Sequence, residues 1–140
     1  MKVKISRGLD SSPEAADIRK TVFVDEQGFK NEFDDIDKDA YHAVLFTDDN
    51  TPAACGRLFT SDGKTYTIGR VAVLNEYRKK GFGEKIVTAL ESKSRELGGF
   101  QTELSAQLRA KGFYEKLGYS PYGNEYLDEY CPHISMKKEL

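Results

Sequence analysis

Thr65-Tyr66-Thr67-Ile68-Gly69-Arg70-Val71-Ala72-Val73-Leu74, followed shortly by Arg78-Lys79-Lys80-Gly81-Phe82-Gly83, is the stretch on which the reading of this chain turns. In its first part Tyr66, Ile68, Arg70 and Ala72 alternate with Thr67, Gly69, Val71 and Val73. That period of two predicts a strand over 65–74 with one set on each face. From Gly81 the period changes. Phe82, Ile86 and Leu90 recur every four residues while Glu84, Lys85, Glu91 and Lys93 occupy other faces, which predicts an amphipathic helix stopped by Gly98-Gly99.

Two glycines and three cations lie between strand and helix. Glycine lets the backbone approach a ligand closely, and the first turn of a helix offers unpaired N–H groups at a positive dipole end. Together they suit a pyrophosphate, with Arg78, Lys79 and Lys80 adding charge at the same spot. The alternative is that Gly81 and Gly83 only shape a turn and the cations are solvated. A phosphate-binding P-loop ends in Gly-Lys-Ser or Gly-Lys-Thr, whereas this chain has Gly83-Glu84-Lys85. A dinucleotide fingerprint needs a third glycine where Ile86 stands, although Glu103 lies roughly twenty residues downstream, as an acidic partner would.

Working outward, Lys2 to Arg7 reads as a short strand, and Ser11-Ser12-Pro13-Glu14 combines capping residues, a first-turn proline and an early acid. A helix over 12–26 follows, closed by Gly28. The acids between 29 and 40, including Asp34, Asp35, Asp37 and Asp39, predict an exposed loop, with two readings open: a run of solvated charges, or a cover over a site whose acids, with Asp128-Glu129, attract a cationic amine. Strands are expected over 41–47 and 53–60 with a turn at 48–52, and Ser61-Asp62-Gly63-Lys64 turns into the strand over 65–74. Beyond the second helix come a strand over 100–104, a helix over 106–117 closed by Gly118, and strands near 119–126 and 131–137. This order implies an α/β (mixed α+β) fold: a mixed, mostly antiparallel sheet of six to seven strands flanked by helices, in one domain over 1–140.

Composition narrows the function classes. A formal net charge of −2 argues against general nucleic-acid binding, so any anion site must be local. No apolar run approaches the roughly 20 residues that cross a bilayer, and Met1-Lys2-Val3-Lys4-Ile5 does not lead into a signal-peptide core, so a cytoplasmic location is expected. Cys55 and Cys131 form neither a disulfide framework nor a metal-ligand spacing; both read as buried or partly buried thiols, and no metal is expected.

Gly69-Arg70-Val71-Ala72-Val73, Arg78-x-x-Gly81-x-Gly83 and Phe113-Tyr114-Glu115-Lys116-Leu117-Gly118-Tyr119 resemble the GNAT superfamily of N-acetyltransferases over nearly the whole chain. Val22-Phe23-Val24-Asp25-Glu26-Gln27, His42 and Pro132-His133-Ile134-Ser135-Met136 are similar to its ElaA-like branch in particular. The resemblance implies acetyl-coenzyme A as cosubstrate. Its pantetheine arm would run along Val71, Ala72 and Val73, and its pyrophosphate would sit on the amides of Lys79, Lys80, Gly81, Phe82 and Gly83. Gln107 stands where the family often carries an asparagine that contacts pantetheine.

The resemblance also implies direct attack of a neutral amine on the thioester, with no covalent enzyme intermediate. Tyr114, with an ordinary pKa of about 10, is the candidate to give the leaving thiolate a proton or a hydrogen bond. On a helix over 106–117 it would share a face with Gln107 and Ala110. An alkylamine near pKa 10.4 costs about 4 to 5 kcal/mol to present uncharged at neutral pH, an α-amine near 8 only about 1. Glu26 and His133 are the candidate bases, each with a structural hydrogen bond as the alternative role; His42 reads as structural. Arg57 and Arg70 are candidates to bind a carboxylate or phosphate on the acceptor, if their side chains face a cleft. The expected partner is a small-molecule or peptide amine, with no nucleic acid and no membrane, acting on a monomer or homodimer. A domain that binds acetyl-coenzyme A as a sensor without turnover is the competing reading.

Overall fold

Pro13 occupies the first helical position, where its missing N–H leaves no bond unmade, and the helix it opens runs from Pro13 to Arg19. In the computed structural model, which describes residues 1–140, the elements in chain order are β1 (Lys2–Arg7), α1 (Pro13–Arg19), β2 (Tyr41–Phe46), β3 (Pro52–Phe59), β4 (Thr65–Val73), α2 (Phe82–Glu96), β5 (Gln101–Gln107), α3 (Lys111–Lys116), β6 (Ser120–Asp128) and β7 (Cys131–Glu139). The expected helix over 12–26 is therefore α-helical only at first; from Lys20 to Glu26 it widens into a π-helix, a winding often found beside functional sites.

All seven strands join one sheet in the order β1-β2-β3-β4-β5-β7-β6. Only β4 and β5 pair in parallel, as the α2 crossover between them demands. α2 covers one face, where Ile86, Val87 and Leu90 pack with Ala43, Leu45, Leu58 and Ile68. Gly56 permits this approach, since a Cβ there would meet Ile86 at 2.7 Å and Leu90 at 3.0 Å. α1 and the π-helix that continues it cover the other face, through Ala15 and Ile18 and through Val22 and Phe23, against Val44, Phe46, Cys55 and Ala72.

Three sequence expectations are corrected. The strict alternation along β4 fails at Arg70, because Cys55 pairs with Ala72 while Arg57 pairs with Gly69, which leaves one extra residue on β4. This bulge flips the pattern. Val71 now packs towards α2 and Ala72 towards α1, on the same side as Gly69.

The helix expected over 106–117 starts only at Lys111. Residues 106 and 107 instead extend β5, where Ala106 pairs with Ile134 and Gln107 with His133. Cross-strand pairing with β7 outweighs local helix propensity there. Gln107 and Tyr114 therefore share no helix face. The acid-rich loop is not solvated throughout either: Glu32 and Asp37 are buried among arginines.

Candidate active site

Strands β4 and β5 pair only between Thr65–Thr67 and Gln101–Glu103. Beyond that point β4 stays with β3 while β5 turns its remaining residues to β7, so the two strands part inside the sheet. A cleft of about 290 Å³ opens there, lined by Phe29, Arg57, Gly69, Arg70, Tyr114 and His133 among others. The bulge marks its wall. Arg70 has a left-handed φ of 51°, a conformation that costs a non-glycine residue roughly 1–2 kcal/mol. Its guanidinium is held in return by the Glu32 carbonyl at 3.0 and 3.2 Å and the Glu32 carboxylate at 3.0 Å.

At the end of β4 the chain enters the glycine turn. Lys79 and Gly81 adopt left-handed φ values of 64° and 80°, and Gly81 caps α2. The Arg78 amide donates to the Asn75 carbonyl at 3.3 Å and the Lys85 amide to the Gly81 carbonyl at 3.2 Å. Every amide between them, from Lys79 to Glu84, lacks an acceptor within the protein. These N–H groups at the positive end of a 15-residue helix fit an anionic phosphate linkage. Gly83 also meets a packing need: a Cβ there would meet the Phe113 ring at 3.2 Å, so the residue makes room for Phe113.

The sequence-selected residues are distributed unevenly. Arg78 is not a free phosphate ligand, because its Nε donates to the Val73 carbonyl at 2.9 Å and its two Nη groups to Glu26 at 2.7 and 2.8 Å. The same hydrogen bonds hold the Glu26 carboxyl below its ordinary pKa. Glu26 does not line the cleft, and a carboxylate so stabilised has little affinity for a substrate's proton.

Tyr114 does line the cleft. Its ring packs edge-on against Phe113 and Tyr119 at 4.9 and 5.9 Å, and burial pushes its hydroxyl up to about 12.

His133 is buried on β7 between the rings of Phe29 and Tyr126. Its Nδ1 lies 2.9 Å from the Cys131 carbonyl, which can only accept. In the neutral ring Nδ1 therefore carries the proton and Nε2 the lone pair. Gln107 also reaches the cleft, with its amide donating to Gln27 at 2.8 Å and accepting from Arg109 at 2.9 Å. His42 is wholly buried, donating through Nε2 to the Asp37 carbonyl at 3.0 Å, which is the structural role expected of it.

Sequence reasoning missed the lattice that holds the cleft's outer wall. Arg19, buried on α1, donates to Glu32 at 2.9 Å and Asp37 at 2.7 Å. Arg57 donates to Asp34 at 2.7 and 3.0 Å and to Asp37 at 2.9 Å. Burial alone would raise the Asp37 carboxyl, but hydrogen bonds from Arg19, the Asp34 amide and Arg57 outweigh it and bring the group to about 2. Glu32 goes the other way, its burial only partly offset by Arg70 and Arg19. A second tie comes from the β6–β7 turn. The Glu129 carboxylate accepts the Lys30 and Asn31 amides at 3.0 Å, and Tyr130 stacks on Phe29 at 5.4 Å. Nothing in the sequence signals a contact between segments so far apart.

A sheet that parts beside a helix start with free amides is the arrangement that the resemblance to the GNAT superfamily implies, and comparison with known proteins shows the family. Residues 9–140 match the acetyltransferase (GNAT) domain, and the chain belongs to that family of acyltransferases. A Bacillus subtilis protein named as an acetyltransferase is 40% identical over 130 residues, covering 89% of this chain and 87% of its own. A crystal structure named for an N-acetyltransferase of Lactobacillus plantarum superposes with a TM-score of 0.91 at 30% identity, covering 99% of this chain and 97% of that one. Escherichia coli ElaA shares the fold, with a TM-score of 0.85 at 24% identity over 99% of each chain. No helix is long and apolar enough to cross a membrane.

Proposed function

We propose that the protein moves an acetyl group from acetyl-coenzyme A to an amine by direct attack, with both reactants meeting in the cleft between β4 and β5. The observation that carries this reading is the run of unpaired amides from Lys79 to Glu84, next to a strand edge left open from Ile68 onward. The amides of Lys79, Lys80, Gly81, Phe82 and Gly83 hold the pyrophosphate, with Lys79 and Lys80 supplying charge. Arg78, tied to Glu26, sets the loop instead of gripping the ligand. Val71, Ala72 and Val73 flank the pantetheine arm, with Gln107 across the gap on β5.

Acetyl-coenzyme A supplies the thioester carbonyl that the amine attacks. Tyr114, held up to about 12, keeps its proton at neutral pH. A thiol near 8.5 is the stronger acid by roughly 3.5 units, so full transfer from Tyr114 to a thiolate would cost about 5 kcal/mol. Tyr114 therefore acts as a hydrogen-bond donor to the departing sulfur and not as a complete acid. His133 Nε2 is the lone pair available in the cleft to take the amine's proton, directly or through water. Arg57 and Arg70 form the wall against which the acceptor lies.

Calorimetric titration with acetyl-coenzyme A, followed by thiol release over a panel of amines, tests the reading. Binding with turnover is expected. Binding without turnover on any amine supports the sensor, and absence of binding removes both.

A further inference from the structure

The segment from Glu26 to Glu32 is tied to both banks of the cleft. Its ends belong to the β4 bank: Glu26 pairs with Arg78, which donates to the Val73 carbonyl, and Glu32 holds the guanidinium of Arg70 at 3.0 Å. Between those ends the contacts cross to the bank made by β5, β7 and the β6–β7 turn. The Gln27 side chain accepts from Gln107 at 2.8 Å and its carbonyl from the Tyr130 hydroxyl. Phe29 stacks on Tyr130 at 5.4 Å, and the Lys30 and Asn31 amides donate to Glu129 at 3.0 Å. Phe29, Asn31, Glu32 and Glu129 all line the cleft. The segment therefore spans it.

The two sets of ties differ in strength. Glu32 is 5% exposed and shared between Arg19 and Arg70, so pulling it away would strand buried charge. Lys30, Asn31, Glu129 and Tyr130 are exposed, and water can replace each of their hydrogen bonds. Opening therefore occurs at the β6–β7 turn. Glu129 itself sits there with a left-handed φ of 55°, where glycine is the ordinary residue, and strain of this kind collects at clamps and switch segments. Glycine would suit the turn better, but it lacks the carboxylate. Oε2 alone accepts both amides, at 3.1 and 3.0 Å, from residues 99 and 98 positions away.

On the acetyltransferase reading above, we infer that Glu129 is a specificity-determining residue: its carboxylate latches residues 27–31 across the cleft, and the closed crossing admits slim primary amines while holding back bulky ones. The cleft's volume of about 290 Å³ has to take the reacting end of the cosubstrate as well as the acceptor, so little girth is left beneath the crossing. Slim amines pass with the latch shut. Bulky ones enter only when Glu129 lets go of Lys30 and Asn31, and the free energy of that release counts against them alone.

The test compares the full chain with its Glu129→Gly variant, which removes the carboxylate and suits the left-handed turn, so the fold survives. In hydrogen exchange followed by NMR, the Lys30 and Asn31 amides are expected to be protected in the wild type and to exchange about tenfold faster in the variant. Propylamine and 2,2-diphenylethylamine present the same CH2–NH2 group on a slim and a bulky body. Their kcat/KM values, read by thiol release, are expected to draw together in the variant, the bulky-to-slim ratio rising about tenfold. A merely structural role would change both values alike and leave the ratio in place. Free exchange of the two amides in the wild type, or a ratio unmoved in Glu129→Gly, overturns the inference. If neither protein acetylates any amine, the enzymatic reading fails, and the latch is decided by binding instead. The Phe29 and His133 resonances are then expected to respond to 2,2-diphenylethylamine at about tenfold lower concentration in the variant, and an equal response in both proteins overturns the latch.

Discussion

Tyr114→Phe removes one hydroxyl from the cleft and leaves the ring where Phe113 and Tyr119 hold it. Burial is the only influence on that hydroxyl, and no protein group bonds to it, so its loss strands no buried partner. The melting temperature is therefore expected to change little. Catalysis is different. A hydrogen bond to a charged acceptor contributes about 1.5–3 kcal/mol, and if Tyr114 makes one only as the sulfur becomes a thiolate, its loss appears in kcat as a fall of about 10- to 150-fold. Coenzyme affinity, set at the helix start, stays near its original value. The sign of the pH dependence follows from the raised pKa. With the group at about 12, the protonated donor persists through the neutral and mildly alkaline range, and Tyr114 contributes no alkaline loss of activity until the pH nears 12. Steady-state thiol release with calorimetry of coenzyme binding measures both quantities. An unchanged kcat in the Phe variant would refute the assignment, and a parallel loss of affinity would make Tyr114 a binding residue instead.

Three further outcomes are expected. His133→Gln should lower turnover about a hundredfold with an alkylamine and less with a weakly basic amine, whereas Glu26→Gln should change it only a few-fold; the reverse ranking would move the base to Glu26. Gly81→Val must place a β-branched side chain at a φ of 80°, so coenzyme affinity is expected to fall at least tenfold in a titration as the amide cradle distorts, and equal affinity would count against the cradle. Asp37→Ala leaves Arg19 and Arg57 short of a buried counter-charge and should destabilise the fold by about 3–5 kcal/mol in denaturant titration. Because the Asp37 carboxyl drops from its ordinary 3.8 to about 2 on folding, its stabilisation is full above about pH 4 and fades as pH falls towards 2; acid unfolding of the wild type should show that loss and the Ala variant should lack it.

The parts of this protein that depend on near neighbours in the chain were legible in its sequence. Gly81 before Phe82, Ile86 and Leu90 announces a helix start, and Pro13 announces another, because capping and periodicity involve residues within a turn or two. The order of elements, and with it the sheet, followed from the same local rules. What the tertiary structure alone decided involves partners far apart. The bulge at Arg70 needs Glu32 to hold it, residues 106 and 107 become strand because His133 and Ile134 lie beside them, and the buried Asp37 stays charged because α1 and β3 bring arginines to it. Arg78 and Glu26 both read as site residues, yet their mutual ion pair, across a separation no periodicity encodes, turns them into a structural tie. Charge and pattern along a chain state what each residue can offer. Which offer is taken up depends on the partner that folding places within about 3 Å.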